Sequence, residues 1–203
     1  MKVLTKALTG TAIAMGLGLM TLTETGLDGA VLQMFSHGVI AGLLFAVVGR
    51  MVYERTHTRD LLALEKMRLS KEIPFAAVVF VIAGMASVGL PGFSGFIAEL
   101  QVLLGAWRSY PLFVAGSGLG ILVGIAYTWR AMQKAFFGDA GPRQLAMQGE
   151  HRLDPVTFPE RVGAMLLLGC TVLIGLYPQL LMRLILPALN SPMFAGLRRG
   201  GWR

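Results

Sequence analysis

The stretch that decides the fold is Gly89-Leu90-Pro91-Gly92-Phe93-Ser94-Gly95, set inside the apolar run Phe75–Trp107. No continuous helix tolerates it. Proline removes a backbone N–H and crowds the preceding turn, and each glycine costs about 1 kcal/mol relative to alanine. A bilayer core takes about 20 helical residues. The run is therefore long for one straight crossing and short for two full ones. Two geometries fit: a hairpin of two short helices, or one crossing built from two half-helices.

Loop charge separates these geometries. Residues 50–73 carry Arg50, Arg55, Arg59, Lys66, Arg68 and Lys71, and residues 130–161 carry Arg130, Lys134, Arg143, Arg152 and Arg161. The turn Thr23–Asp28 has no Lys or Arg, and Arg108–Pro111 has only Arg108. Basic loops stay on the cytoplasmic side. The two rich loops share that side only if Phe75–Trp107 crosses once and Leu112–Phe137 crosses back. The broken single crossing is expected, with Pro91, Gly92 and Gly95 as its hinge.

The remaining apolar runs are Ala7–Leu22, Gly29–Tyr53, Leu112–Phe137 and Val162–Leu186. Together they predict an all-α, polytopic transmembrane bundle of about five crossings in a single membrane domain, with the N-terminus inside and the C-terminus outside. The basic tail residues Arg198, Arg199 and Arg203 then fall outside, against the charge rule. Lys2 and Lys6 before Ala7–Leu22 resemble the start of a secretory signal, but no small-x-small cleavage site follows, so a retained helix is expected. Composition agrees. Of 203 residues 55% are hydrophobic and only 14% charged, and mean hydropathy is +0.65, which a soluble core of this length cannot hide. The net charge of +7 collects between apolar runs rather than on one stripe, which excludes a nucleic-acid partner. Gly38, Gly42 and Ala46, and Gly116, Gly120 and Gly124, have the spacing that lets membrane helices approach closely.

An ionisable group inside a bilayer is costly, so it is a functional candidate by default. Glu99 lies just past the hinge. The start of a half-helix favours a nearby anion, whereas burial disfavours the charged form. A carboxyl held between these pulls suits proton uptake and release; the alternative is a Glu that braces broken-helix backbone. His37 lies well inside the second apolar run and suits proton relay. Gln33, one turn earlier, could hold its ring. The alternative is a neutral His packed against a neighbour and satisfied by a carbonyl or by Ser36. His57 and His151 belong to polar loops. The lone Cys170 and the scattered histidines give no metal-binding spacing. Gly89-x-x-Gly92-x-x-Gly95 lacks the spacing of a phosphate loop, and no Gly-x-Ser-x-Gly elbow is present.

The segment GAVLQMFSHGVIAGLLFAVVGRMVYERTHTRD (Gly29–Asp60), with GLPGFSGFIAELQVLLGAW (Gly89–Trp107), closely resembles the C-terminal half of the antiporter-like subunit M, or subunit 4, of proton-translocating NADH:quinone oxidoreductase (respiratory complex I). The cyanobacterial and chloroplast counterparts of that subunit belong to the same group. Arg130–Gly138 and Val162–Pro178 fit that family's last two helices, so the likeness covers roughly residues 20–186. It implies that Glu99 ends a proton path toward the outer face and that His37 relays protons along a polar axis. It also implies an integral membrane protein of a bacterial inner or thylakoid-type membrane. Other membrane-arm subunits are implied as partners, with NADH, flavin, iron–sulfur clusters and quinone confined to partner chains and no cofactor in this one. Family members are much longer, with two inverted repeats. This sequence supplies only the second, so a partner chain carrying the first is expected, unless the chain is a truncated, non-functional product. A subunit of a multi-chain cation/proton antiporter shares the broken helix and stays open.

Overall fold

In the computed structural model, residues 15–67, 69–138 and 153–189 are described. Lys2, Lys6, Arg68, Arg143, His151, Arg152 and the three tail arginines lie outside them, as does the first part of Ala7–Leu22, of which residues 15–20 are helical. Among the described residues all regular structure is helical.

The first long helix, α1, spans Glu24–Phe45, continues through a π-helical stretch at Ala46–Tyr53, and ends at Thr56. It begins earlier than the apolar run Gly29–Tyr53 suggested, because Thr23 caps it: its hydroxyl oxygen accepts the Gly26 N–H at 3.1 Å. It stops at His57, whose φ of 52° is left-handed. The wider π turn keeps Val47, Met51 and Val52 on the buried side as the helix leaves the core.

Short helices α2 (Leu61–Glu65) and α3 (Leu69–Glu72) lead into α4 (Pro74–Ser87). A six-residue break, Val88–Phe93, separates α4 from α5 (Ser94–Ala106). Gly89 and Gly92 take φ of +72° and +102° in the break, a backbone open to glycine and strained for other residues. Helix α6 spans Pro111–Phe136 and α7 spans Phe158–Leu176.

The expected run Val162–Leu186 is not one helix. It divides at Tyr177–Pro178 into α7 and α8 (Gln179–Leu189). Proline pushes the residue before it away from helical geometry, and Tyr177 adopts φ −131°, ψ 65°. Among the described residues three helices are long and apolar enough to cross a membrane: Glu24–Thr56, Pro111–Phe136 and Phe158–Leu176. Helices α4 and α5 have 14 and 13 residues, which at 1.5 Å per residue gives about 20 Å each, short of a core of about 30 Å. Only end to end do they span it.

Packing shows that they run end to end. The start of α4 (Ile73, Ala76, Ala77) joins the Tyr53 end of α1, Phe136 at the close of α6, and Val156 and Ala164 around the start of α7. The close of α5 (Val102, Ala106) joins Leu17 and Val114 at the opposite end of the bundle. Leu32, Ala98 and Ile174 meet midway. A hairpin would have returned the chain to the Tyr53 end.

Helix α1 packs most closely on α5, antiparallel. A Cβ on Gly105 would lie 2.6 Å from the Gly26 Cα, and one on Gly29 would lie 2.7 Å from the Val102 N. Five of the six small residues expected to make close helix contacts make none within this chain. Gly38, Gly42, Gly116, Gly120 and Gly124 have open space around the position of a Cβ.

Candidate functional site

The break and the first turns of α5 are fixed from three sides. On the α7 side, Gly175 lies against it so closely that a Cβ there would fall 2.3 Å from the Gly92 carbonyl oxygen. Beside that contact the hydroxyls of Ser94 and Thr171 share a hydrogen bond of 3.0 Å, both residues fully buried. On the α4 side Gly95 sits under the Ala86 carbonyl, and on the α1 side under the tip of Ile40. Of the expected hinge residues, Pro91 and Gly92 lie in the break, and Gly95 is the second residue of α5.

Glu99 is one turn into α5, and helical side chains lean toward the helix start. Its carboxylate therefore reaches back over the break. A Cβ on Gly89 would meet Glu99 Oε2 at 2.6 Å, so the missing side chain at Gly89 is the space that the carboxylate occupies. From α1, the Gln33 side chain faces the same carboxylate. The side chain thus bridges the two halves of the broken span and the helix that crosses it.

Gln33 differs from its expected role. Instead of steadying the His37 ring, its amide is turned to Glu99, and its Oε1 has no partner. Ser36 does not hold that ring either: it is fully buried and its Oγ is unpartnered. His37 is partly buried and makes no hydrogen bond among the described residues. Gln33 and His37 are four apart and thus share one face of α1, and Gln33 faces Glu99 across the α1–α5 contact.

Several further polar residues in the interior escape a reading of the sequence. Asp28 is 6% exposed and its Oδ1 has no partner, and Gln101 Oε1 is likewise enclosed and unpaired. Apolar patterning places Asp28 in a turn; the Thr23 cap, which that patterning does not reveal, puts it inside α1. Arg55, which reads only as loop charge, is a clamp at the Tyr53 end. Its guanidinium donates to Glu160 Oε2 at 2.8 Å, to the Asp154 carbonyl at 2.7 Å, to the Pro155 carbonyl at 3.0 Å and to the Arg50 carbonyl at 2.8 Å. Glu160 in turn accepts the Thr157 N–H at 2.9 Å. Lys134 pairs with Glu65 at 3.1 Å, tying α6 to α2. Among the described residues no group of three or more His, Cys, Asp or Glu could hold a metal ion.

Residues 11–124 match the family described as NADH:quinone oxidoreductase/Mrp antiporter, TM. The chain belongs to this family. The helix break and Glu99 therefore lie inside the matched region. Similar relatives include NAD(P)H-quinone oxidoreductase chain 4 1 of Synechococcus sp. (strain JA-2-3B'a(2-13)), 41% identical over 172 residues, covering 81% of this chain and 31% of the relative. NADH-quinone oxidoreductase subunit M of Rhodobacter capsulatus is 34% identical, covering 85% of this chain and 32% of the relative. The chain spans about a third of the length of these relatives. A chain of respiratory complex I from Thermus thermophilus superposes with a TM-score of 0.78 at 30% identity, covering 91% of this chain and 36% of that one. A chain of the Mrp complex from Dietzia sp. DQ12-45-1b shares the fold, with a TM-score of 0.59 at 20% identity, covering 88% of this chain and 45% of that one.

Proposed function

We propose that the chain is a proton-translocating piece of the membrane arm of an NADH:quinone oxidoreductase. In this reading Glu99 binds and releases the proton, Gln33 positions its carboxyl, and His37 relays protons along α1. The observation that carries the reading is the seat of Glu99 over Gly89, in contact with Gln33. A carboxyl held across a helix break responds to any movement of the two halves, because its contacts come from both and from α1. Redox energy released in partner subunits would drive that movement electrostatically. NADH, flavin, iron–sulfur clusters and quinone would reside in those partners.

The N-terminus lies inside and the C-terminus outside a bacterial inner or thylakoid-type membrane in this proposal, in keeping with basic loops 50–73 and 130–161 on one side. A chain supplying the first inverted repeat would complete the path. The exposed apolar flank of α6, where Leu112, Phe113, Leu119 and Leu122 are all more than 60% exposed, is available to lipid and to such a partner.

The test is Glu99→Gln in the assembled complex. The amide keeps the shape of the carboxyl and cannot cycle a proton, so proton pumping is expected to be lost while assembly and electron transfer persist. Unchanged pumping would end the assignment. The fold shared with the Mrp chain favours a second reading, a subunit of a cation/proton antiporter. Vesicles holding the assembled complex would then exchange sodium for protons without NADH.

A further inference from the structure

The interior holds four enclosed side-chain oxygens without a hydrogen-bond partner among the described residues: Asp28 Oδ1, Gln33 Oε1, Ser36 Oγ and Gln101 Oε1. Three of them are acceptors and cannot donate to one another. Only the Ser36 hydroxyl can donate, and it can serve one of the three at most. Leaving a buried polar group unpaired costs about 1–3 kcal/mol, so donors must come from elsewhere. Lipid and partner chains cannot reach atoms enclosed within this chain. Water, or a proton on Asp28, can.

Gln33 is explained by Glu99, but Asp28 and Gln101 are not. Gln101 is two residues from Glu99 on α5, about 200° around the helix, and therefore on its other side. The Gln101 Cβ lies 2.8 Å from the place a Cβ on Gly29 would take, so its stem rests on the residue next to Asp28. Asp28 is not needed as a helix cap, since Thr23 fills that role. Among the described residues Asp28 has no ion-pair partner: the pairs Arg50–Glu54, Arg55–Glu160 and Lys134–Glu65 all lie toward the Tyr53 end, and Arg108, at the Thr23 end, is exposed. Glu24, one turn earlier, bears the same sign. Glu99 lies on the far side of α5, α7 brings only Glu160 and Arg161, both near its Thr157 end, and Arg183 on α8 is exposed.

We propose that Asp28 is a second proton-carrying carboxyl, seated with Gln101 in an enclosed water-holding pocket at the Thr23 end of the α1–α5 contact. The proposal rests on the proton-translocating reading. The Glu99 carboxyl gives a proton to enclosed water as that water passes one to the Asp28 carboxylate, so the water is left neutral, Glu99 becomes the carboxylate and Asp28 the acid. Asp28 then returns the proton to water at the Thr23 end, so only O–H bonds form and break. Gln101 is the positioning residue that holds that water.

The test is infrared difference spectroscopy of the full chain in lipid vesicles between acid and alkaline pH, alongside pumping by the assembled complex. Beside the bands of exposed carboxyls, two carboxylic-acid C=O bands from enclosed carboxyls are expected. Asp28→Asn removes one, Glu99→Gln removes the other, and Glu24→Gln removes neither. Asp28→Asn also abolishes most of the pumping, and Gln101→Leu shifts the Asp28 band alone. Where Asp28→Asn does not assemble, Asp28→Glu moves that band instead of removing it. A spectrum unchanged in every Asp28 variant, with the Glu99 band intact and Glu99→Gln still blocking pumping, overturns this proposal and leaves the function standing. Full pumping in Glu99→Gln overturns the function itself.

Discussion

Gly89 and Glu99 form one unit: the glycine supplies both a left-handed backbone and the space into which the carboxylate folds back. Gly89→Ala violates both conditions, whereas Gly92→Ala violates only the first, because nothing lies within 4 Å of the added methyl. Each variant should lower stability by about 1–2 kcal/mol from backbone strain, read from thermal unfolding in detergent. Only Gly89→Ala should also displace the carboxylate and cut pumping. Equal pumping losses in the two variants would mean that strain, rather than the seat of Glu99, controls the site. Glu99 and His37 stand out as candidates in the sequence because a titratable group inside an apolar run is conspicuous. Their neighbours do not. Which face of α5 meets α1 is decided by Gly26, Gly29 and Gly105 in three dimensions, and that register hands Gln33 to Glu99 rather than to His37.

The helices carry their own tests. Gly29→Ala pushes a methyl to 2.7 Å from the Val102 backbone nitrogen, and Gly175→Ala pushes one to 2.3 Å from the Gly92 carbonyl oxygen. Backbone cannot swing aside as a side chain can, so both should destabilise the chain by about 1–3 kcal/mol, the usual cost of overpacking. Gly38→Ala and Gly42→Ala meet open space and should stabilise α1 by up to about 1 kcal/mol through helix propensity. The same unfolding assay separates the pairs, and similar losses at all four sites would refute the antiparallel α1–α5 register. The Arg55 clamp makes a sharper case. Its side chain and that of Glu160 are only 7% and 10% exposed, and removing one partner of such a pair costs about 3–5 kcal/mol. Arg55→Gln should therefore loosen the junction of α1 with α7 and expose residues 153–157 to added protease, while Arg50→Gln, whose pair with Glu54 is exposed, should not. At this scale the sequence announced the break at Gly89–Gly95, since proline and glycine act locally. It also held the Pro178 division of the last run, visible afterwards as the restriction on Tyr177, but apolar character on both sides masked it. The π-helical stretch has no local residue signal; it follows from keeping Val47, Met51 and Val52 against α4 and α7.

For the molecule as a whole, the decisive property is that α4 and α5 together carry the chain from one end of the bundle to the other. Two independent arguments converge on it. Basic residues concentrate at 50–73 and 130–161, and packing joins the start of α4 to the Tyr53 end of α1 and the close of α5 to residues near Leu17 and Val114. The continuous helix Glu24–Thr56 has 33 residues, about 50 Å at 1.5 Å each, so both its ends clear a hydrocarbon core of about 30 Å. Single cysteines report the sidedness directly, on a background in which the lone Cys170 is replaced by serine. Thr25 and Ser109 are exposed at the end where Gly26 meets Gly105; His57 and Lys71 are exposed at the other. A membrane-impermeant maleimide applied to intact cells should label Thr25→Cys and Ser109→Cys, and applied to inverted vesicles it should label His57→Cys and Lys71→Cys. Labelling of Ser109→Cys together with His57→Cys would mean that the broken run turns back on itself. The carboxyl of Glu99 would then no longer stand between the two aqueous sides, and a proton route through it would have no geometry to follow.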